Sequence, residues 1–114
     1  MIRVSLIIAA FTLANSALAA DGDKLVYGAG MISCAEWQKF RTTGDKANSY
    51  QAQAWVDGFL SGENSAGDGI DFLAPKPNTI AYYAWIDNYC AQNPLNSLVQ
   101  ATWLLKKELI ARTR

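Results

Sequence analysis

Apolar positions along this chain form one unbroken run near the start and then four periodic stretches, separated by glycine, proline and short polar residues. The run, Val4 to Leu13, follows Met1-Ile2-Arg3 and gives way to Ala17-Leu18-Ala19, with Ala20-Asp21 beyond. A basic start, a short apolar core and a small-residue exit are the parts of a secretory signal peptide. The run is shorter than the roughly 20 apolar residues that a bilayer-spanning helix requires, and Asn15 and Ser16 interrupt it. Residues 1–19 are therefore expected to be a cleaved signal peptide, and residues 20–114 a single helical domain. No later stretch is long and apolar enough to span a bilayer, so no membrane attachment is expected after cleavage.

Residues 20–31 are a polar lead containing Asp21-Gly22-Asp23 and Gly28-Ala29-Gly30, and are expected to be irregular. Ser33 with Glu36 three residues on has the form of a capping box. It starts a short helix through Cys34, Trp37 and Phe40, which Thr42-Thr43-Gly44-Asp45 ends. A second helix fits Ala47 to about Ser65, because Ala52, Val56, Phe59 and Leu60 recur at the spacing of one buried stripe. Gly67-Asp68-Gly69-Ile70-Asp71 is a turn-rich link, and Pro75-Lys76-Pro77 forbids a continuous helix there. The third helix runs from a cap at Asn78 or Thr79 to about Asn93. Ile80, Tyr83, Ile86 or Asp87, and Cys90 lie along one face, with Tyr82, Trp85 and Tyr89 around the rest. A helix apolar on several sides is central in its domain or lies at an interface. Pro94 suits the first turn of a fourth helix, reaching Ala111. Leu95, Leu98, Thr102, Leu105 and Leu109 repeat there at three and four residues, and Lys106, Lys107, Glu108 and Arg112 form the wet side. The elements predict an all-α fold, a small four-helix domain.

Two patterns sit on top of this periodicity. Ala54, Gly58, Gly62 and Ala66 are each four apart on the second helix, although glycine costs a helix interior about 1 kcal/mol relative to alanine. Such a line lets a flat ring from Trp85, Tyr83 or Trp103, or another backbone, come close. Internal packing is the expectation, and a contact between subunits the alternative. Ala54-Trp55-Val56-Asp57-Gly58 also echoes Ala84-Trp85-Ile86-Asp87-Asn88 at an offset of 30; with two copies, coincidence is the simpler reading.

Composition narrows the chemistry. Loss of residues 1–19 removes Arg3 and no acid, leaving nine Lys/Arg against ten Asp/Glu and a net charge of −1. That balance gives no electrostatic case for nucleic acid or an anionic membrane. A chain this short buries only about 60–65% of its unfolded surface, so a covalent staple helps. The two cysteines, Cys34 and Cys90, are expected to pair in an exported protein. With no histidine, the commonest general base and metal ligand is missing. Glu36, Asp57 and Asp87 are the candidate carboxylates for glycosidase-type chemistry, but no spacing forces them together. Gly58-Phe59-Leu60-Ser61-Gly62 lacks the lysine of a phosphate loop. Asp68 and Asp71 lack the alternating ligands and terminal glutamate of a calcium loop. No enzyme activity, metal or cofactor is expected.

The stretch Tyr89-Cys90-Ala91-Gln92-Asn93-Pro94, a cysteine opening the first helix at Cys34, and a Trp- and Gly-containing second helix together resemble the HdeA/HdeB family of periplasmic acid-stress chaperones. The resemblance runs from about Cys34 to Leu109. It implies a periplasmic helical fold with a Cys34–Cys90 bridge, a homodimer near neutral pH, and loosening in strong acid into a form that holds unfolding clients. Gly58-Phe59-Leu60-Ser61-Gly62, a Pro-bearing link and a helix ending at Asn93-Pro94 also resemble small periplasmic immunity proteins that neutralise type VI secretion toxins by occluding a cell-wall hydrolase. Under either resemblance the partner is a protein. The residues expected to meet it are Trp55, Gly58, Phe59, Gly62, Tyr82, Trp85 and Tyr89.

Overall fold

Helix boundaries in this chain are set by side chains that cap them. The structure, a computed structural model, describes residues 25–67, 69–74 and 78–113. A 3-10 turn, Gly28–Met31, precedes α1 (Cys34–Thr42), α2 (Lys46–Ala66), α3 (Thr79–Gln92) and α4 (Leu98–Arg112). The signal peptide, Asp68 and Pro75-Lys76-Pro77 lie outside the described residues. Ser33 accepts from the Glu36 amide and Glu36 reaches back to the Ser33 amide, so the expected capping box is complete. Asp45 caps α2 and Asn78 caps α3, each accepting from the amide three residues on. Between α1 and α2, Gly44 takes a φ of 75°, a left-handed conformation that glycine adopts without steric cost.

Each buried stripe follows from these helices. Trp37, Val56, Leu60, Ile86, Leu98, Ala101 and Leu105 meet with Cys34 and Cys90 in one core. α1 packs against the other three helices, α3 against α4, and α2 against α4 and the 3-10 turn; α2 and α3 are not a closely packed pair. Cys34 and Cys90 are bonded, with Cα atoms 4.7 Å apart, joining the start of α1 to the end of α3. The fold is thus a compact all-α domain of four helices with a Cys34–Cys90 disulfide. No helix among the described residues is long and apolar enough to cross a membrane.

The α3–α4 link departs from the expected fourth helix. Pro94 and Leu95 form a turn instead of a first helical turn, and α4 starts at Leu98 behind a second capping box, Ser97 with Gln100. Leu95 is 96% exposed and leaves the apolar stripe to Leu98, Ala101, Thr102 and Leu105. The reason lies in α1. The first amides of a helix have no partner within it, and here Cys34 N–H donates to the Asn96 carbonyl (2.6 Å) and Ala35 N–H to the Pro94 carbonyl (3.1 Å). A helix starting at Pro94 would turn those carbonyls into its own ladder. Asn93 and Asn96 side-chain amides fasten the link, donating to the Tyr89 carbonyl (2.9 Å) and the Tyr89 hydroxyl (2.6 Å). The Tyr-Cys-x-x-Asn-Pro stretch therefore has a structural task in this chain.

Two further expectations are corrected. Ile80 is 78% exposed, and the packed face of α3 begins with Tyr82 and Tyr83. The line Ala54, Gly58, Gly62 and Ala66 faces outward, and a Cβ built on Gly58 or Gly62 meets nothing within 4 Å. The buried residues of α2 are Ser49, Ala52, Val56 and Leu60, and a step of two residues turns the small-residue line about 200° away from them. Trp85, Tyr83 and Trp103 are engaged elsewhere, on Tyr89, Trp37 and Phe59. Close approach occurs instead in the lead. Gly30 is buried, and a Cβ there would collide with the Trp55 ring.

Candidate functional site

The residues expected to meet a partner all come from α2 and α3. Trp55 and Phe59 leave α2 side by side, stacked at 4.9 Å, and Phe59 meets Trp103 of α4 edge-on at 5.5 Å. Lys106 lies over Trp103 at 4.6 Å and pairs with Glu63 at 2.6 Å. The row is half-buried; its Trp55 ring lies against Gly28 and Gly30 of the 3-10 turn, and the Trp55 indole donates to the Tyr27 carbonyl at 2.8 Å. Gly58 and Gly62 are on the open face of the same helix. Trp85 and Tyr89 stack on each other at 5.7 Å on α3. Tyr82, also on α3, lines a cleft of about 520 Å³ with Phe72, Leu73, Leu109, Asp71 and Arg112.

Each of the candidate carboxylates serves a different neighbour. Glu36 is held by Ser33, whose amide is the main cause of a pKa below the usual carboxylate range. The Asn48 side chain, with the Asn48 amide behind it, does the same for Asp45. Asp57 accepts from the Tyr83 hydroxyl at 2.6 Å, while its Oδ1 is buried with no hydrogen-bond partner among the described residues. Burial first, and the bond to Asp57 second, push Tyr83 up to about 12. Asp87 accepts from the Trp37 indole at 2.8 Å and from Arg41 through both oxygens, at 3.0 and 2.8 Å. That contact raises Arg41, whose guanidinium lies 5.5 Å from the centre of the Trp37 ring and 5.8 Å from that of Tyr83.

The sequence echo acquires a physical meaning here. Val56 and Ile86 are fully buried, and the acid that follows each accepts a hydrogen bond from an aromatic donor of another helix. The two tryptophans differ, since Trp55 bonds to the lead and Trp85 stacks on Tyr89. Arg41 and Gly30 carried no local signal in the sequence, because their partners lie 46 and 25 positions away. Ser97 and Gln100 did carry one, a Ser-x-x-Gln pattern three residues after Pro94.

The fold and these contacts define a small disulfide-bonded helical domain. Comparison with protein-family models, with curated proteins and with solved structures finds no match to the chain.

Proposed function

We propose that this chain is an acid-responsive periplasmic holdase of the HdeA/HdeB kind, which loosens in strong acid and holds unfolding client proteins. The observation that carries the reading is the placing of carboxylates in polar ties between helices. Asp87 ties α3 to Arg41 and Trp37 of α1, Glu63 ties α2 to Lys106 of α4, and Asp57 ties α2 to Tyr83 of α3. Below about pH 3 carboxylates are largely protonated, and ties of this kind weaken together. The processed chain then carries nine Lys/Arg charges with little to offset them, and self-repulsion favours expansion.

The caps act in the same direction. Glu36 and Asp45 have folded values lowered from 4.5 and 3.8. Their contribution is present above those ordinary values and is lost as pH falls through the lowered ones. The disulfide does not titrate, so α1 and α3 stay joined while Val56, Leu60 and Ile86 come within reach of a client. Light scattering of an acid-labile client at pH 2.5 tests this. Protection accompanied by dye-detectable apolar surface is expected, reversible on neutralisation. A chain that stays compact and gives no protection refutes it.

The open face of α2 favours a second reading, a toxin-neutralising immunity protein. Ala54, Gly58, Gly62 and Ala66 leave the helix backbone accessible to a rigid partner beside Tyr50, itself 64% exposed. Tight binding at neutral pH to one secreted cell-wall hydrolase, abolished by Gly58→Trp, is the matching test.

A further inference from the structure

We propose that the cleft beside Tyr82 binds a small primary amine with an apolar body, and that Asp57 takes its ammonium group. The inference rests neither on acid activation nor on the open face of α2. Leu73 and Tyr82 line both the cleft, of about 520 Å³, and a narrower recess of about 130 Å³, so the two share those side chains as a wall. The cleft alone falls within the range of about 300–1,000 Å³ typical of small-molecule sites. Phe72, Leu73 and Leu109 give it an apolar lining. The recess is lined by Asp57, Leu60 and Ser61 of α2 and by Thr79 at the start of α3.

Two polar groups of these walls lack hydrogen-bond partners among the described residues. Asp57 gives one oxygen to the Tyr83 hydroxyl, and its Oδ1 is buried and unpaired. An unpaired buried acceptor costs free energy that an incoming donor recovers. The Tyr82 hydroxyl has no partner either, and burial alone pushes it above its ordinary value. The other charges at the cleft are already answered. Arg112 pairs with Glu108 at 2.8 Å, and Asp71 accepts from the Asn64 side chain and the Leu73 amide. The unmet demand is therefore that of a carboxylate oxygen, which selects a donor and favours a cationic one. Hydrogen bonds of an ammonium to a carboxylate are charge-assisted and about twice as strong as neutral ones. A compact ammonium suits the narrow recess, and the apolar body attached to it lies along Leu73, Phe72 and Leu109, out of water.

Phenethylamine, phenethyl alcohol and hydrocinnamate carry one apolar body with a cationic, a neutral and an anionic head. Each is titrated at neutral pH into the oxidised chain, and backbone amide shifts are followed by NMR. Phenethylamine is expected to shift Ser61, Leu73 and Tyr82 saturably, with the alcohol and the acid each binding at least about tenfold more weakly. Asp57→Asn keeps an oxygen for the Tyr83 hydroxyl and removes the charge, so it should abolish the preference for the amine over the alcohol. Equal binding of amine and alcohol to the native chain means that water suffices for Asp57, and overturns the proposal. So does the absence of saturable binding, shifts centred away from the cleft, or an amine preference that survives in Asp57→Asn. Should that variant not fold, the three probes on the native chain decide.

Discussion

Removal of the Asp87 carboxylate isolates the polar centre between α1 and α3. Trp37 is fully buried, and its indole N–H has Asp87 as acceptor. In Asp87→Ala that donor has no partner, which costs about 1–3 kcal/mol. The Arg41 pair is lost as well; with side-chain exposures of 28% and 32% it is partly screened, and about 0.2–1 kcal/mol is the appropriate scale. Together about 2–3 kcal/mol is expected, and at about 4–8 °C per kcal/mol for a domain of this size the midpoint falls by about 10–20 °C. Asp87→Asn keeps an oxygen for the indole and loses only the charge, so it should cost under about 1 kcal/mol. Arg41→Ala should resemble the Asn variant. Thermal and urea unfolding of the three oxidised variants gives the values. If Asn is as damaging as Ala, the charge and not the buried donor governs this site, and the reasoning fails.

Other substitutions follow from the same geometry. Gly30→Ala should destabilise by about 1–3 kcal/mol through its collision with Trp55, whereas Gly58→Ala and Gly62→Ala, with open space around them, should each stabilise by about 0.4–1 kcal/mol in urea titrations. Cys34→Ser should cost about 4 kcal/mol on the chain-entropy account of a 56-residue separation, measured against the intact oxidised chain. Absorbance at 295 nm should show a tyrosine step delayed to about pH 12 that Tyr83→Phe removes. The phenol's contribution to stability is present below its ordinary value of 10.0 and is lost as pH rises through the raised one.

Local signals were readable in the sequence, and long-range ones were not. Ser33 with Glu36, the stripe Ala52, Val56 and Leu60, and the Cys34–Cys90 pair each express themselves through neighbours a turn away or through the lack of any other partner. Gly58 and Gly62 misled because a small residue in a helix signals a close approach only if something approaches, and the approaching ring was used at Gly30. Fourth-helix periodicity extended back to Leu95 because Pro94 suits a helix start. The α1 amides that claim the Pro94 and Asn96 carbonyls lie some 60 residues earlier. Asp57 and Asp87 stood out as acids, but which aromatic or guanidinium group each meets depends on how α1, α2 and α3 pack.

The Cys34–Cys90 bond closes a covalent ring that contains α1, all of α2, the following link and most of α3. Gly67, Gly69, Ile70, Asp71 and Ala74 of that link are exposed. A protease cutting there opens the ring without dividing the molecule. The two pieces stay tethered beside the α1–α3 contact, so a nicked chain should migrate as one species until a reductant is added. Surface loops of this kind tolerate insertion as well, which makes the link a place where a tag or a second domain can be carried inside the ring while the four helices keep their arrangement.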